Sequence, residues 1–395
     1  MKVAVLGGRL QGVEIAYLAG KAGWHVVGVD RDATAPIVGL CQDFHCFDLM
    51  ESDQLTALLQ TVDFAIPAME DQEVLDHIDR CAAFAGVRLA YDPEAYLLSS
   101  SKIRSDALFA VLGIPAPKPW PFCRFPLTVK PATASGSKGV CCFDDADQFE
   151  QWLASVEHPE SWVKQEFLAG PSYSIEVIGD GEKYRTFEIT ELEMDAGFDC
   201  KRVTAPVPMS GELATALEDT ALTLARSLRL TGIMDVEVIL HQGQLRVLEI
   251  DARFPSQTPT VVYHSSGINL VQALWHGGRN GLCSNPAATT RGVIYEHIMV
   301  EGESLSVCGE HIMAGAGPLC VHHDFFGAQE ALTNYRPGRA TWVATLIMMG
   351  QDLGDATALR EKVIANIRQS CGITTYADTA PPSMPEWIQH HPVIA

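Results

Sequence analysis

The 395-residue sequence predicts an α/β protein in which a parallel, helix-covered sheet is followed by antiparallel sheets. Two observations carry this prediction. Residues 1–92 alternate short apolar runs with amphipathic helical stretches, and the chain from Leu127 onward shows strand pairs around glycine turns. A chain of this length usually forms two or three domains.

The N-terminal alternation predicts strands at residues 3–6, 26–29 and 64–66, with helices from Gln11 and near 52–59. Parallel strands need long crossover connections, and a helix between successive strands supplies one. A parallel sheet covered by helices is therefore expected for residues 1–92.

Gly7, Gly8 and Gly12 follow the first predicted strand, and Asp30 ends the second. A nicotinamide dinucleotide fingerprint requires Gly-x-Gly-x-x-Gly, but the middle glycine here comes one residue early. We expect a tight turn whose helix N-terminus receives a carboxylate or phosphate of the substrate. An NAD-dependent oxidoreductase is the alternative from a different enzyme class.

The charge balance argues against several partners. Acidic residues outnumber basic ones, 49 to 28, and the net charge of −21 disfavours binding to nucleic acid or anionic lipid. No apolar run reaches the length of a membrane span and no signal-peptide pattern is present, so a cytoplasmic protein without a membrane partner is expected. The eleven cysteines include no C-x-x-C pair, which favours reduced thiols. The sequence permits a homodimer but fixes no subunit count.

A proline-rich boundary divides the chain. Asp92-Pro93-Glu94 predicts the start of one helix that ends at Gly113, immediately before the cluster 114–117. The expected units are residues 1–92, a linking helix and boundary at 93–117, a small unit at 118–168 and a large unit at 169–395.

Two lysines and a glycine-rich loop indicate a phosphate site. Lys102 lies on the linking helix, and Lys130 ends a predicted strand. A small-residue loop follows, and its backbone N–H groups could contact phosphate oxygens. The loop differs from the Gly-x-x-x-x-Gly-Lys-Ser/Thr pattern, so the nucleotide must be held in another way. The loop residues are Ser135, Gly136, Ser137, Lys138 and Gly139.

Glu237, Glu249 and Asp251 lie on the two strands of one predicted hairpin. Mg²⁺ prefers such oxygen ligands together with phosphate oxygens and water. A two-residue turn at 242–243 would place Glu249 on the face opposite Glu237. A three-residue loop at 241–243, with a bulge at the glycine, would place all three carboxylates on one face. Because glutamine is unfavourable at positive φ, we predict the three-residue loop.

Together with the runs "KQEFLAGPSYSIEV" and "DVEVI…LEIDARF", these features resemble the ATP-grasp ligases over nearly the whole chain. The resemblance implies a Rossmann-like pre-ATP-grasp domain at 1–92, followed by an ATP-grasp fold whose two α+β subdomains clasp ATP. It implies ATP and Mg²⁺ as cofactors, with two metal ions expected and Mn²⁺ as a substitute.

The same resemblance assigns site roles. Lys102, Lys130 and the glycine loop would contact the ATP phosphates, and Lys130 and Arg253 would be catalytic, with Arg253 near the transferred phosphate. Glu237, Glu249 and Asp251 would bind the metals, although Asp251 replaces a common asparagine. The residues implied for adenine and ribose are Gln165, Glu166, Phe167, Leu168 and Ser172, the last in place of a common glutamate.

Within the family, the segments "TELEMDAGFDCKRVTAP" and "EIDARFPSQTPTVVYHSSGINLVQAL" resemble a branch acting in pyrrolysine biosynthesis. This implies that an acyl phosphate forms on a (3R)-3-methyl-D-ornithine carboxylate and is taken by the ε-amine of L-lysine. Another amino acid, or bicarbonate, is the alternative acceptor. Candidate substrate residues are Leu10, Gln11, Glu70, Asp71, Ser174, Glu176, Asp235, Arg253 and Ser256.

Overall fold

The computed structural model describes residues 1–134, 136–280 and 290–381. Within these ranges the strands form a five-stranded, a three-stranded and a twelve-stranded sheet. No helix in the described ranges is both long and apolar enough to cross a membrane.

The N-terminal sheet is entirely parallel, in the order β3-β2-β1-β4-β5. Its α1 side shares a core with the large sheet, whereas α2 and α3 cover a separate core on the other side. The predicted helix-covered parallel sheet is thereby confirmed. Its elements are β1 (Lys2–Leu6), α1 (Leu10–Lys21), β2 (His25–Asp30), β3 (Asp43–Cys46), α2 (Ser52–Leu59), β4 (Phe64–Pro67), α3 (Gln72–Ala85) and β5 (Arg88–Leu89).

The linking segment contains two helices, α4 (Pro93–Ser99) and α5 (Lys102–Leu112), so the prediction of one continuous helix was wrong. Ser101 has an extended backbone, with φ −121° and ψ 109°. Serine is unfavourable inside helices because its hydroxyl can hydrogen-bond to nearby backbone groups in non-helical conformations. As a consequence Lys102 begins α5, and its backbone N–H donates to the Ala132 carbonyl at 2.8 Å. Gly113 ends α5 in the left-handed region, as predicted.

The small sheet has the order β7-β6-β8 and packs its apolar face against one helix. Phe143, Phe149 and Trp152 form the centre of that core. The glycine loop connects β6 to β7, so it extends from a rigid scaffold. The elements are β6 (Leu127–Pro131), β7 (Cys141–Phe143), α6 (Ala146–Ser155) and β8 (Trp162–Glu166).

The large sheet runs β14-β13-β9-β11-β12-β15-β19-β18-β17, with three further strands attached. Its strands are β9 (Ser172–Asp180), β10 (Tyr184–Thr186), β11 (Thr190–Met194), β12 (Cys200–Ala205), β13 (Thr231–His241), β14 (Gln244–Asp251), β15 (Gly292–Glu301), β16 (Ser304–Val307), β17 (Cys320–Phe325), β18 (Ala328–Thr333), β19 (Thr341–Gly350) and β20 (Thr375–Asp378). Its helices are α7 (Gly211–Leu228), α8 (Thr258–Ser266), α9 (Leu270–Asn280), α10 (His311–Ala314) and α11 (Leu353–Cys371).

The β13–β14 hairpin corrects the predicted turn. His241 pairs with Gln244, so the connection is the two-residue turn Gln242-Gly243, with φ values of 49° and 78°. This turn twists in the same sense as its strands, which outweighs the cost of positive φ at a glutamine.

A bulge restores the shared face of the carboxylates. Val238 pairs with Val247, but Glu237 pairs with Glu249, so Leu248 is an extra residue on β14. Val247 and Ile250 both face the core that α7 covers, although three positions separate them. A regular strand cannot place such residues on one face, and the bulge makes it possible.

The turn yields a stability prediction. We expect Gln242→Asn to stabilise the protein by about 0.5–1 kcal/mol, because asparagine tolerates the left-handed region and Asn-Gly favours this turn type. Thermal unfolding would measure the gain. Gln244→Asn, at an extended neighbouring position, is the control; an equal or larger gain there would contradict the explanation.

Candidate active site

Buried and half-buried carboxylates occupy one face of three adjacent strands. On β13, Asp235 lies between Asp251 of β14 and Glu176 of β9, and Glu237 lies between Glu249 and Ser174. The predicted meeting of Glu237, Glu249 and Asp251 on one face is therefore found in the structure, although the bulge rather than the turn produces it.

Burial and mutual repulsion raise the pKa values of this cluster. Burial, with a further contribution from Glu249, raises the pKa of Glu237 to about 7. Burial raises the pKa of Asp251 to about 6, opposed by the guanidinium of Arg253. The pKa of Asp235 lies well above its usual range, because this carboxyl is buried and has Asp251 and Glu237 as neighbours. The cluster is a poorly neutralised anionic site that favours an added cation.

The two predicted lysines approach the cluster from different parts of the chain, Lys102 from the linking segment and Lys130 from the small sheet. Lys102 Nζ lies 2.6 Å from Glu249 Oε1 and donates to the Ala134 carbonyl at 2.7 Å. Lys130 Nζ donates to the carbonyl of the bulge residue Leu248 at 3.3 Å. Burial lowers the pKa of Lys130, and Glu249 opposes this effect. Both ammonium groups therefore lie beside the carboxylates.

Arg253 connects the cluster to the segment between β4 and α3 in the N-terminal unit. Its guanidinium lies 2.9 Å from Asp251 Oδ2 and 2.7 Å from Glu70 Oε1, and Gln11 Nε2 donates to the same Glu70 oxygen at 3.2 Å. Burial lowers the pKa of Arg253, but Asp251 and Glu70 raise it to a net value above normal. The structure thus brings Gln11 and Glu70 to the site.

Two cavities meet at this cluster. Glu249 and Asp251 line both of them. The first cavity, of about 160 Å³, lies over the large sheet and also includes Ser174, Asp235, Glu237, Arg253 and Ser256. The second, of about 140 Å³, includes Glu70, Tyr96 and Lys102. Positions predicted for substrate and metal therefore line two neighbouring cavities.

The glycine loop lies over the first cavity. Gly136 and Ser137 line it, and Ser137 Oγ donates to the Phe198 carbonyl in the β11–β12 turn at 2.7 Å. Lys138 and Gly139 are exposed. Ser135, also predicted for this loop, lies outside the described residues. The described part of the loop therefore contacts the large sheet at the cavity rim.

The residues expected to bind adenine and ribose lie at the end of β8, in the segment after it and at the start of β9. Glu166 Oε1 accepts from the Lys118 backbone N–H at 2.9 Å, and Gln165 is buried. Ser172 lies in the sheet between Leu192 and Ile239. Neither cavity is lined by these residues or by Phe167 and Leu168, so their nucleotide role stays a prediction.

The glycine turn after β1 does not present a dinucleotide site. The Asp30 carboxylate accepts from the Gly8 N–H at 2.7 Å, and the side chains of Ala35 and Ile37 lie against Gly8. Asp30, the acid that would bind a ribose, is therefore already occupied by a hydrogen bond from the glycine turn. This arrangement disfavours NAD binding by residues 1–92, and substrate binding by this unit stays a prediction.

Three other predicted substrate residues lie away from the two cavities. Asp71 caps α3 by accepting from the Glu73 and Val74 N–H groups, and this structural role accounts for an aspartate at this position. Leu10 packs on the core shared by α1 and the large sheet. Glu176 is fully buried beside the Thr258 hydroxyl, and burial raises its pKa to about 7. None of the three lines either cavity.

The carboxylate cluster fits Mg²⁺ by its donor chemistry. It offers only oxygen ligands, and Asp235 Oδ1 and Asp251 Oδ1 are buried without a hydrogen-bond partner. Among the residues that the structure describes, no three His, Cys, Asp or Glu side chains form a ready-made metal site. Phosphate oxygens and water would therefore have to complete the coordination, which is usual for Mg²⁺.

Sequence reasoning missed part of the first cavity. Thr258 lies a few residues after the carboxylate strand β14, and proximity in sequence was the available signal. Glu310 comes from the segment between β16 and α10, and no motif marks it. The remaining missed lining is mainly apolar: Leu192, Met194, Phe198, Val203 and Pro255, with Asp199 and Cys200.

The raised pKa values predict how stability depends on pH. The folded protein holds the protons of Glu237 and Asp251 more tightly than the unfolded chain. The resulting stability is fully present below about pH 4 and is lost as pH rises through about 6–7. Without nucleotide or metal, we expect unfolding free energy to fall by about 1–3 kcal/mol between pH 5 and pH 8.

Glu237→Gln tests this assignment because it removes one titrating group. Thermal unfolding across the pH range should show a shallower dependence for this variant, whereas the exposed control Glu150→Gln should keep the wild-type slope. An unchanged slope for Glu237→Gln would exclude the carboxyl as a contributor.

This chain is similar to proteins of known family. The family described as the ATP-grasp domain matches residues 100–257. A 3-methyl-D-ornithine–L-lysine ligase from Methanosarcina barkeri is 35% identical over 375 residues, covering 94% of this chain and 98% of that protein. The ligase of the same name from Methanosarcina mazei is 33% identical over 373 residues, covering 94% and 96%.

Solved structures share the fold. A biotin carboxylase from Campylobacter jejuni superposes with a TM-score of 0.70 and 14% identity, covering 92% of this chain and 91% of that chain. An N5-carboxyaminoimidazole ribonucleotide synthetase in complex with ADP gives a TM-score of 0.69 and 14% identity, covering 93% and 97%. The chain belongs to the ATP-grasp ligases and, within them, to the 3-methyl-D-ornithine–L-lysine ligase family.

Proposed function

We propose that this enzyme joins the carboxylate of (3R)-3-methyl-D-ornithine to the ε-amine of L-lysine, a step in pyrrolysine biosynthesis. Near-complete alignment with ligases named for this substrate pair carries the proposal. A carboxylate oxygen attacks the γ-phosphorus of ATP and ADP leaves. The lysine nitrogen then attacks the acyl carbon, phosphate leaves, and the nitrogen loses a proton.

Glu237, Glu249 and Asp251 would hold Mg²⁺ together with the ATP phosphates, as two ions, with Mn²⁺ able to substitute. When bound, the metal neutralises phosphate charge during transfer. Lys102 and Lys130, which contact Glu249 and the Leu248 carbonyl, would bind phosphate oxygens. Arg253, which pairs with Asp251, would stabilise the charge that develops on the transferred phosphate. No protein nucleophile is required, because the substrates supply both attacking atoms.

The glycine loop and residues 165–168 complete the proposed nucleotide site. Residues 135–139 would cover the phosphates and exclude water from the acyl phosphate. Residues 165–168 would hold adenine, and Ser172 would lie near ribose. The contact of Ser137 with the β11–β12 turn supports closure of the loop onto the first cavity.

The charge of the site supports basic amino acids as substrates. Asp235 and Ser174 line the first cavity, Glu70 lines the second, and Glu176 is buried beside Asp235 in the sheet. Ammonium groups would offset the cost of burying these carboxylates. Bicarbonate, an anion, would meet repulsion, so the carboxylase alternative is disfavoured.

The proposed assembly is a homodimer, and the proposed location is the cytoplasm. Sedimentation at several protein concentrations would test the assembly. A mass that stays that of one chain at every concentration would contradict the homodimer.

A substrate panel tests the reaction. We expect ADP and phosphate release with ATP, Mg²⁺, 3-methyl-D-ornithine and L-lysine, and a dipeptide-like product whose mass equals the sum of both amino acids minus water. L-ornithine or D-lysine in the corresponding position should support much slower release. Equal turnover with unrelated amino-acid pairs, or none with this pair, would contradict the proposal.

Glu249→Ala tests the metal assignment. We expect ADP formation to fall at least about 1,000-fold, because loss of the ligand removes charge stabilisation at the transferred phosphate. A coupled ADP assay measures the loss, and unchanged thermal unfolding confirms folding. Glu218→Ala, an exposed glutamate on α7, is the matched control. Near-normal turnover of Glu249→Ala would remove this residue from the site.

A further inference from the structure

Glu310 is a carboxylate in the first cavity that the proposed phosphate and metal chemistry does not use. It lies between β16 and α10, apart from the two strands, β13 and β14, that carry the metal-binding candidates. Its Oε2 is buried without a hydrogen-bond partner, and no cation in the described ranges forms an ion pair with it. Such a carboxylate is costly to bury without a partner of opposite charge.

Gln257 extends the same acceptor surface. It is 5% exposed, lines the cavity, and leaves its Oε1 buried and unpartnered. Its backbone has φ 69° and ψ −62°, and the Thr258 N–H donates to the Ser256 carbonyl at 2.8 Å, which defines a strained γ-turn. Burial raises the pKa of Glu310, while Ser256 and Gln257 lower it as neighbouring donors.

An apolar wall accompanies these acceptors. Leu192, Met194, Val203 and Pro255 line the same cavity. This combination suits a methylene chain that lies along the wall and ends in an ammonium group. A short polar ligand would leave the apolar wall unused.

The cations of the cavity determine which ammonium fits. Arg253 is the single Lys, Arg or His among the described residues that line it, and it already pairs with Asp251 and Glu70. The α-ammonium of an amino acid brings a carboxylate that needs its own cation. A side-chain ammonium is not attached to a carbon that also carries a carboxylate, so it needs no further cation. The ε-amine of lysine is also excluded, because pairing with a carboxylate would keep this nucleophile protonated.

We propose that Glu310, assisted by Gln257, binds the side-chain ammonium of the amino acid whose carboxylate is activated. The inference rests on the proposed function and assigns a specificity-determining residue to it. Glu310 would select a diamino acid over a neutral amino acid of the same length, because the neutral chain leaves this carboxylate buried without a partner.

Hydroxylamine trapping isolates the activation step, since hydroxylamine replaces lysine and captures the acyl phosphate as a hydroxamate. Wild-type enzyme would be assayed with ATP, Mg²⁺ and either 3-methyl-D-ornithine or its analogue carrying a methyl group in place of the δ-ammonium. We expect Glu310→Gln to lower kcat/KM for the diamino acid about 100-fold and that for the neutral analogue less than about threefold. KM for ATP should not change.

The controls separate the possible failures. Glu361→Gln, an exposed glutamate on α11, should retain wild-type discrimination, and Glu310→Asp should retain part of it. Equal losses with both acids, or discrimination that survives Glu310→Gln, would overturn the inference while leaving the ligase function intact. If wild-type enzyme forms no hydroxamate with 3-methyl-D-ornithine, the proposed function itself fails.

Discussion

The register of the β13–β14 hairpin is the constraint on which the site depends. Because Leu248 is an extra residue, Glu249 and Asp251 face the same cavity as Glu237 and Asp235. Val247 and Ile250 meanwhile both face the core under α7. One bulge thus satisfies two demands, since it keeps apolar side chains buried and gathers acidic ones. The freed backbone also serves the site, because the Leu248 carbonyl accepts from Lys130.

The gathered carboxylates set the electrostatic character of the enzyme. Buried neighbours of like charge raise one another's pKa values, and cations from three parts of the chain partly offset this. Lys102 comes from the linking segment, Lys130 from the small sheet, and Arg253 follows β14 and reaches the N-terminal unit through Glu70. The remaining negative charge favours binding of further cations. A metal–nucleotide complex and basic amino acids supply such charge.

Much of the fold was predictable because its signals are local. The N-terminal alternation, the helix start at Asp92 and the end at Gly113 depend on neighbouring residues, and the structure confirms them. The break at Ser100-Ser101 was missed, since a two-residue interruption leaves little trace in periodicity. For the hairpin, the predicted loop was wrong, although the sequence carries a signal of the bulge. Apolar residues recur every second position at 245 and 247 and again at 250 and 252, but three positions separate 247 from 250. That change in spacing indicates the bulge. Glu310 could not be predicted, because only tertiary packing brings it to the cavity.

Anomalous diffraction from crystals grown with Mn²⁺ and ADP would test the convergence of the three carboxylates most directly. We expect manganese peaks with oxygen atoms of Glu237, Glu249 and Asp251 at coordination distance, and with Leu248 bulged out of the ladder. Manganese bound elsewhere, or Glu237 on the opposite face of the hairpin from Glu249 and Asp251, would contradict this arrangement.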